Sequence, residues 1–107
     1  MRPAGSWGPD QTIKATVLGG NTYNATEEVE LRLRTTIAPH SITGYELDLR
    51  NYPAGGYAAI VRWNGPLNNF TTLATDNSAY HGIKTGDTLT GTISGKLISI
   101  YVNGTLV

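Results

Sequence analysis

The sequence predicts an all-β domain, an antiparallel β-sandwich of about seven or eight strands. Three observations carry that expectation. Apolar and polar residues alternate with a period close to two along most of the chain, no segment shows a 3.6-residue apolar stripe, and thirteen glycines punctuate the sequence at sandwich-like spacing. With 107 residues, 39% hydrophobic and 15% charged, the chain fits a single domain, 1–107, with one compact core.

Taken in order, residues 1–10 read as a flexible or vector-derived lead-in, and the first strand is expected at Thr12 to Leu18. Val29, Leu31 and Leu33 then alternate with Glu28, Glu30, Arg32 and Arg34, which describes a strand with one buried and one wet face. Tyr45, Leu47 and Leu49 alternate with Glu46, Asp48 and Arg50 in the same way, so the two strands can lie side by side with acids and bases pairing across the polar face. Further strands are expected at Gly56 to Trp63, Phe70 to Ala74, Thr88 to Ser94 and Leu97 to Val102. Turns are expected at Gly19-Gly20-Asn21, Gly55-Gly56, Asn64-Gly65-Pro66, Gly95-Lys96 and Asn103-Gly104.

Composition removes several function classes. Eight Lys and Arg balance eight Asp and Glu, so no basic field exists to hold a phosphate backbone, and nucleic acid is not an expected partner. Apolar runs such as Tyr57 to Val61 fall far short of the roughly 20 residues of a membrane helix, and Met1 to Ser6 has no apolar signal-peptide core. The absence of cysteine excludes disulfides, cysteine metal sites and thiol catalysis.

The last third is the most specific part. Thr85-Gly86-Asp87 forms a turn, Thr88 to Ser94 a strand, Gly95-Lys96 a reversal, Leu97 to Val102 a strand, and Asn103-Gly104-Thr105 a second reversal. This β-meander, together with Gly44 to Arg50 leading into Gly56 to Gly65, resembles the concanavalin A-like lectin/glucanase superfamily with its laminin-G-like jelly rolls. The resemblance covers Thr12 to Val107 and implies a jelly-roll sandwich, carbohydrate as ligand, an extracellular or cell-surface setting, and calcium in some members. Complete members look longer, and they continue past the Asn-Gly turn.

Glu46-Leu47-Asp48-Leu49-Arg50-Asn51 is similar to the superfamily's glucanase strand, Glu-x-Asp-x-Glu or Glu-x-Asp-x-x-Glu. Retaining hydrolysis needs two carboxyl groups roughly 5 Å apart. Arg50 and Asn51 occupy the two positions of the second glutamate, and neither can protonate a leaving group, so no catalytic residue is assigned. His40 and His81 lie in loops without a partner at ligand spacing, no serine elbow is present, and Asp10 and Asp76-Asn77 offer oxygen ligands without the dense spacing of a calcium loop. Aromatic rings suit the apolar faces of sugars. The expected ligand-binding residues are Glu46, Asp48, Arg50, Tyr52, Arg62 and Trp63, on a polar face that also carries Glu28, Glu30, Arg32 and Arg34. Alternation puts Tyr57, Ala59, Val61 and Trp63 on one face, which makes Trp63 a core residue if Val61 points inward.

Three functions follow in order: a non-catalytic carbohydrate-binding module, a structural or interaction domain of a larger assembly, and a glycoside hydrolase or polysaccharide lyase. The apolar set Leu97, Ile98, Ile100, Val102, Leu106 and Val107 leaves an exposed edge or patch, from which a homodimer or a higher closed oligomer is expected.

Overall fold

The computed structural model describes residues 8–18, 27–51, 56–77 and 82–107. Eight strands are present: β1 (Gln11–Thr16), β2 (Glu27–Ala38), β3 (Ser41–Asn51), β4 (Ala58–Pro66), β5 (Phe70–Asp76), β6 (Thr88–Ser94), β7 (Leu97–Val102) and β8 (Thr105–Leu106). They form two antiparallel sheets, β1-β6-β7-β8 and β2-β3-β4-β5. The chain lays down β1, crosses to build the second sheet as four consecutive strands, and returns for the C-terminal meander. No helix among the described residues is long and apolar enough to cross a membrane.

The core forms where the inward faces meet. Leu31, Leu33, Leu47, Leu49 and Ala58 from the second sheet pack against Leu89, Ile93 and Ile100 of the first, with Val17 and Ile83 closing the ends. These are the residues that period-two alternation points to one side. Gly91 belongs to this face of β6, and a Cβ there would overlap Leu47 Cδ1, so the glycine lets the two sheets approach across the core.

Local turn chemistry fixes the hairpins. Asn103 and Gly104 both hold positive φ, 51° and 80°, as a two-residue type I′ hairpin between β7 and β8 requires. Gly95 (φ 57°) opens the β6–β7 turn, and His40 (φ 59°) follows Pro39 in the exposed β2–β3 turn. The Gly-Asp turn before β6 is tied down by Asp87, which is buried. Its Oδ2 accepts from the Lys84 amide at 2.9 Å and its Oδ1 from Asn103 Nδ2 at 3.0 Å, while Asn103 Oδ1 accepts from the Thr88 amide at 2.9 Å. The motif that carries the resemblance thus couples a turn at one end of β6 to the hairpin after β7.

Three sequence expectations are corrected. Asn64-Gly65-Pro66 is not a turn. β4 runs through it, paired with Thr43, Ile42 and Ser41, and the reversal falls at Leu67 to Asn69, where Asn68 has φ 65°. Residues 8–10 are not a free lead-in: Gly8 and Pro9 carbonyls accept from Gln11 and Arg34, and Asp10 Oδ1 accepts from the Gly95 amide at 3.0 Å. Arg34 also leaves the polar face. The β2–β3 register shifts between Leu33 and Thr36, so Arg34 and Thr35 oppose the single residue Gly44. Arg34 adopts φ 48°, and its guanidinium reaches Pro9 O, Gly95 O at 2.9 Å and Asp10 Oδ1 at 3.5 Å. The expected turn at Gly19-Gly20-Asn21 and residues 1–7 lie outside the described residues.

Candidate functional site

The outer face of the second sheet, away from the core, carries a cluster of charged side chains, Glu28, Glu30 and Arg32 from β2 and Glu46, Asp48 and Arg50 from β3. Register sets its rows. Glu28 faces Arg50, Glu30 faces Asp48 and Arg32 faces Glu46 across β2–β3. Glu46 and Asp48 lie beside Val61 and Ala59 of β4, which lie in turn beside Thr72 and Thr75 of β5. Ala59 and Val61 are each only 6% exposed although they point away from the core. Longer side chains around them stand higher, so these two small residues become the floor of a depression of about 440 Å³. Carboxylates form one wall, threonine hydroxyls the other, and rings close the ends, with Trp63 and Phe70 at one and Tyr57 at the other. Six residue steps of extended chain take Tyr57 to Trp63, about 20 Å.

At the Trp63 end the polar groups are interlocked. Glu46, 5% exposed, accepts from Trp63 Nε1 at 2.8 Å and meets Arg32 Nη2 at 2.7 Å on the same oxygen. Arg32 Nη2 also serves Glu30 at 2.7 Å, and its guanidinium lies over the Trp63 ring with Cζ 5.5 Å from the centroid. Phe70 meets Trp63 at 5.4 Å with a 51° tilt. Burial holds the Glu46 carboxyl above its usual range, against the stabilising hydrogen bond from Trp63 and the charge of Arg32.

At the other end the Tyr57 hydroxyl lies between two carboxylates, Glu28 Oε1 and Asp48 Oδ2, the latter at 3.2 Å. A phenol has one hydrogen, so it can donate to only one of them at a time. While it serves Glu28, it has no hydrogen to offer Asp48. Burial, and then the negative charge of Glu28, push the Asp48 carboxyl up to about 6. Burial and the same two acceptors push the Tyr57 phenol upward as well. Arg50 stands over the Tyr57 ring at 5.4 Å with its Nε 3.6 Å from Glu28.

Arg32 Nη1, Asp48 Oδ1 and Arg50 Nε are buried without a hydrogen-bond partner, and they are the only such side-chain atoms among the described residues. All three belong to this face. Buried polar atoms left unsatisfied are rare in folded proteins and call for an explanation where they cluster.

Of the expected ligand-binding residues, Glu46, Asp48 and Trp63 come together in the depression and Arg50 borders it. Arg62 does not join them. It alternates with Val61 and Trp63 and so projects from the opposite face of β4, where it is exposed and donates from Nε to Asn64 Oδ1 at 3.0 Å. Tyr52 and His81 lie outside the described residues. Trp63 is not a core residue: it does share a face with Val61, but that face is the outer one. Arg32, from the expected polar face, and the aromatic residues Tyr57 and Phe70 complete the site; the cross-strand register makes Arg32 the neighbour of Glu46 and Phe70 the neighbour of Trp63. Asp10 is engaged by Gly95 and Arg34, and no group of three potential metal ligands occurs among the described residues. No family model, curated protein or solved structure matches the chain.

The Asp48 shift fixes a pH dependence. From an ordinary value of 3.8 the carboxyl rises to about 6, so between these pH values the folded chain holds a proton that the unfolded chain has released. Stability therefore falls as pH rises through that window and stays lowered above it. Asp48→Asn should be more stable than wild type at pH 7 by on the order of 1–2 kcal/mol, after allowing for the solvent that reaches this half-buried group, with the advantage shrinking towards pH 4. Thermal melts at the two pH values check this; equal melting temperatures at pH 7 would count against it.

Proposed function

We propose that the chain is a non-catalytic carbohydrate-binding module that receives its ligand in the depression on the outer face of the β2-β3-β4-β5 sheet. The observation that carries this reading is a depression with a floor of small apolar residues between aromatic ends, into whose carboxylate wall Asp48 brings a buried oxygen without a hydrogen-bond partner, Arg32 and Arg50 standing beside that wall with buried nitrogens likewise without a hydrogen bond. A sugar ring has apolar faces and a rim of hydroxyls. Ala59, Val61 and the rings offer the first a surface, and the carboxylates and threonine hydroxyls offer the second acceptors and donors. The resemblance to the concanavalin A-like superfamily supports the same ligand class. Arg50 occupies the place of the second glutamate and cannot act as an acid, which favours binding over turnover.

A glycan array followed by titration tests the proposal. The wild-type chain should bind at least one glycan class, and Trp63→Ala and Asp48→Asn should each weaken that binding tenfold or more, about 1.4 kcal/mol. Arg62→Ala, on the opposite face, should leave it unchanged. An array without hits for the folded protein, or equal affinity in all three variants, would sink the reading.

One observation favours a second reading, hydrolysis: Asp48, with its carboxyl raised to about 6, lies directly across from Glu30, and directly opposed strand positions have Cβ atoms about 5 Å apart. The array hits serve as substrates for its test. Release of reducing ends that disappears in Asp48→Asn would establish turnover, and intact glycans after prolonged incubation would dismiss it.

A further inference from the structure

We infer that β5 is the pairing edge of a two-fold homodimer, in which the β2-β3-β4-β5 sheets of two copies join into one eight-stranded sheet.

The four sheet edges are not alike. β2 carries Glu27, Glu28, Glu30, Arg32 and Arg34, β1 carries Lys14 at its middle, and β8 is two residues long. Each of these is blunted in a way that sheets use against edge pairing. β5 is different: from Phe70 to Thr75 it has no charge and no proline, four of its six residues, Phe70, Thr71, Thr72 and Thr75, are strand-favouring types, and all six are exposed. Among the described residues no strand pairs with its outer edge.

Charge decides what such an edge accepts. Two-fold antiparallel pairing sets each residue against a residue of the same strand, so an edge whose first six residues are uncharged is compatible with its own copy, and Asp76, the one charge of β5, is not set against itself. The register is symmetric too. β5 pairs with β4 as two three-residue arms, Phe70–Thr72 and Ala74–Asp76, with Leu73 as the extra residue of a bulge between them. An axis through Leu73 sets Thr72 against Ala74, Thr71 against Thr75 and Phe70 against Asp76. Leu73, 46% exposed, then meets its own copy on the axis.

The surface beneath the edge fits the same occupant. Between the sheets on this side runs a groove of about 330 Å³ whose lining includes Ile60, Ala74, Leu97, Ile98, Leu106 and Val107. Leu97 is 70% exposed and Leu106 62%. Dimerisation at β5 brings the two grooves together and removes this apolar surface from water. It also sets the two outer-face depressions side by side, with Phe70, Thr72 and Thr75 of both copies forming the ridge between them.

Light scattering on the eluting protein, combined with amide exchange, tests the inference. Wild type should run at twice the 11.5 kDa chain mass, with the outward amides of β5 protected at high concentration and exchanging on dilution. Leu73→Lys sets two ammonium groups against each other on the axis and should halve the mass while leaving the circular dichroism spectrum unchanged. Thr71→Lys carries the same expectation should Leu73→Lys fail to fold. Ile37→Lys, at an exposed position at the far end of β2, should remain dimeric. A wild-type monomer at ~100 µM, a dimer that persists in the folded lysine variants, or a dimer whose β5 amides exchange freely would each overturn the inference.

Discussion

Gly44→Ala should cost the domain on the order of 3 kcal/mol or more, one of the largest losses open to a single methyl group in this chain. Gly44 has φ 126°, and a Cβ there would lie 2.6 Å from Arg34 O and 2.7 Å from Thr35 Cα. Both obstacles are backbone, held by the bulge that Gly44 itself opposes, so no side chain can swing aside. Gly95→Ala is the informative control: its φ is 57°, but nothing lies within 4 Å of the added carbon. That substitution meets only the left-handed penalty of about 1–2 kcal/mol. Urea denaturation of the two variants separates overlap from conformational preference, and a Gly44→Ala loss no greater than that of Gly95→Ala would show that the bulge can yield.

Arg32→Met should cost about 3 kcal/mol at pH 7, and visibly less at pH 5. Glu46 is buried, and Arg32 Nη2 is its one ion-pair partner at 2.7 Å among the described residues. Without that charge, burial and repulsion from Glu30 and Glu28 act on the carboxylate unopposed except by the Trp63 hydrogen bond. The carboxyl already sits above its usual range, and removing Arg32 raises it further. Its proton is then bound in the folded chain at pH values where the unfolded chain has released it, so the variant regains stability as pH falls. Adding Glu46→Gln should recover much of the loss, because the buried charge is gone and the amide can still accept from Trp63. Denaturation curves for the four proteins of this cycle at both pH values measure it, and a double variant no more stable than Arg32→Met would place the cost elsewhere.

The sequence makes the strands legible because half-buried strands have a period of two. β6 and β7 fall on the expected residues, and Glu46, Asp48 and Trp63 do meet. What it conceals depends on register. Nothing in Leu33-Arg34-Thr35-Thr36 announces that two residues will oppose one glycine, yet that shift sends Arg34 away from the polar face to which strict alternation assigns it. The Asn-Gly-Pro signal fails because β3 is long enough to pair with Asn64, Gly65 and Pro66, and continued pairing outweighs a local turn preference. Parity groups Tyr57, Ala59, Val61 and Trp63 correctly but leaves open which side is inside. Val61 looks like a core residue, and it is buried, under the charged and aromatic side chains of the outer face rather than between the sheets.

The single guanidinium of Arg34 gives the molecule a spine. It fastens the β2 side of one sheet to the carbonyls of Pro9 and Gly95 at the margin of the other, while its own amide donates to Gln11 Oε1 at 2.8 Å. On the opposite long side, between β5 and the short β8, the sheets face each other across a groove lined largely by aliphatic side chains. A two-layer body fastened along one margin opens from the other, as a book does, so thermal breathing starts where solvent already reaches Leu97 and Leu106 and travels inward to Ile100 and Leu49. Whatever covers that margin therefore sets how long the leaves stay shut.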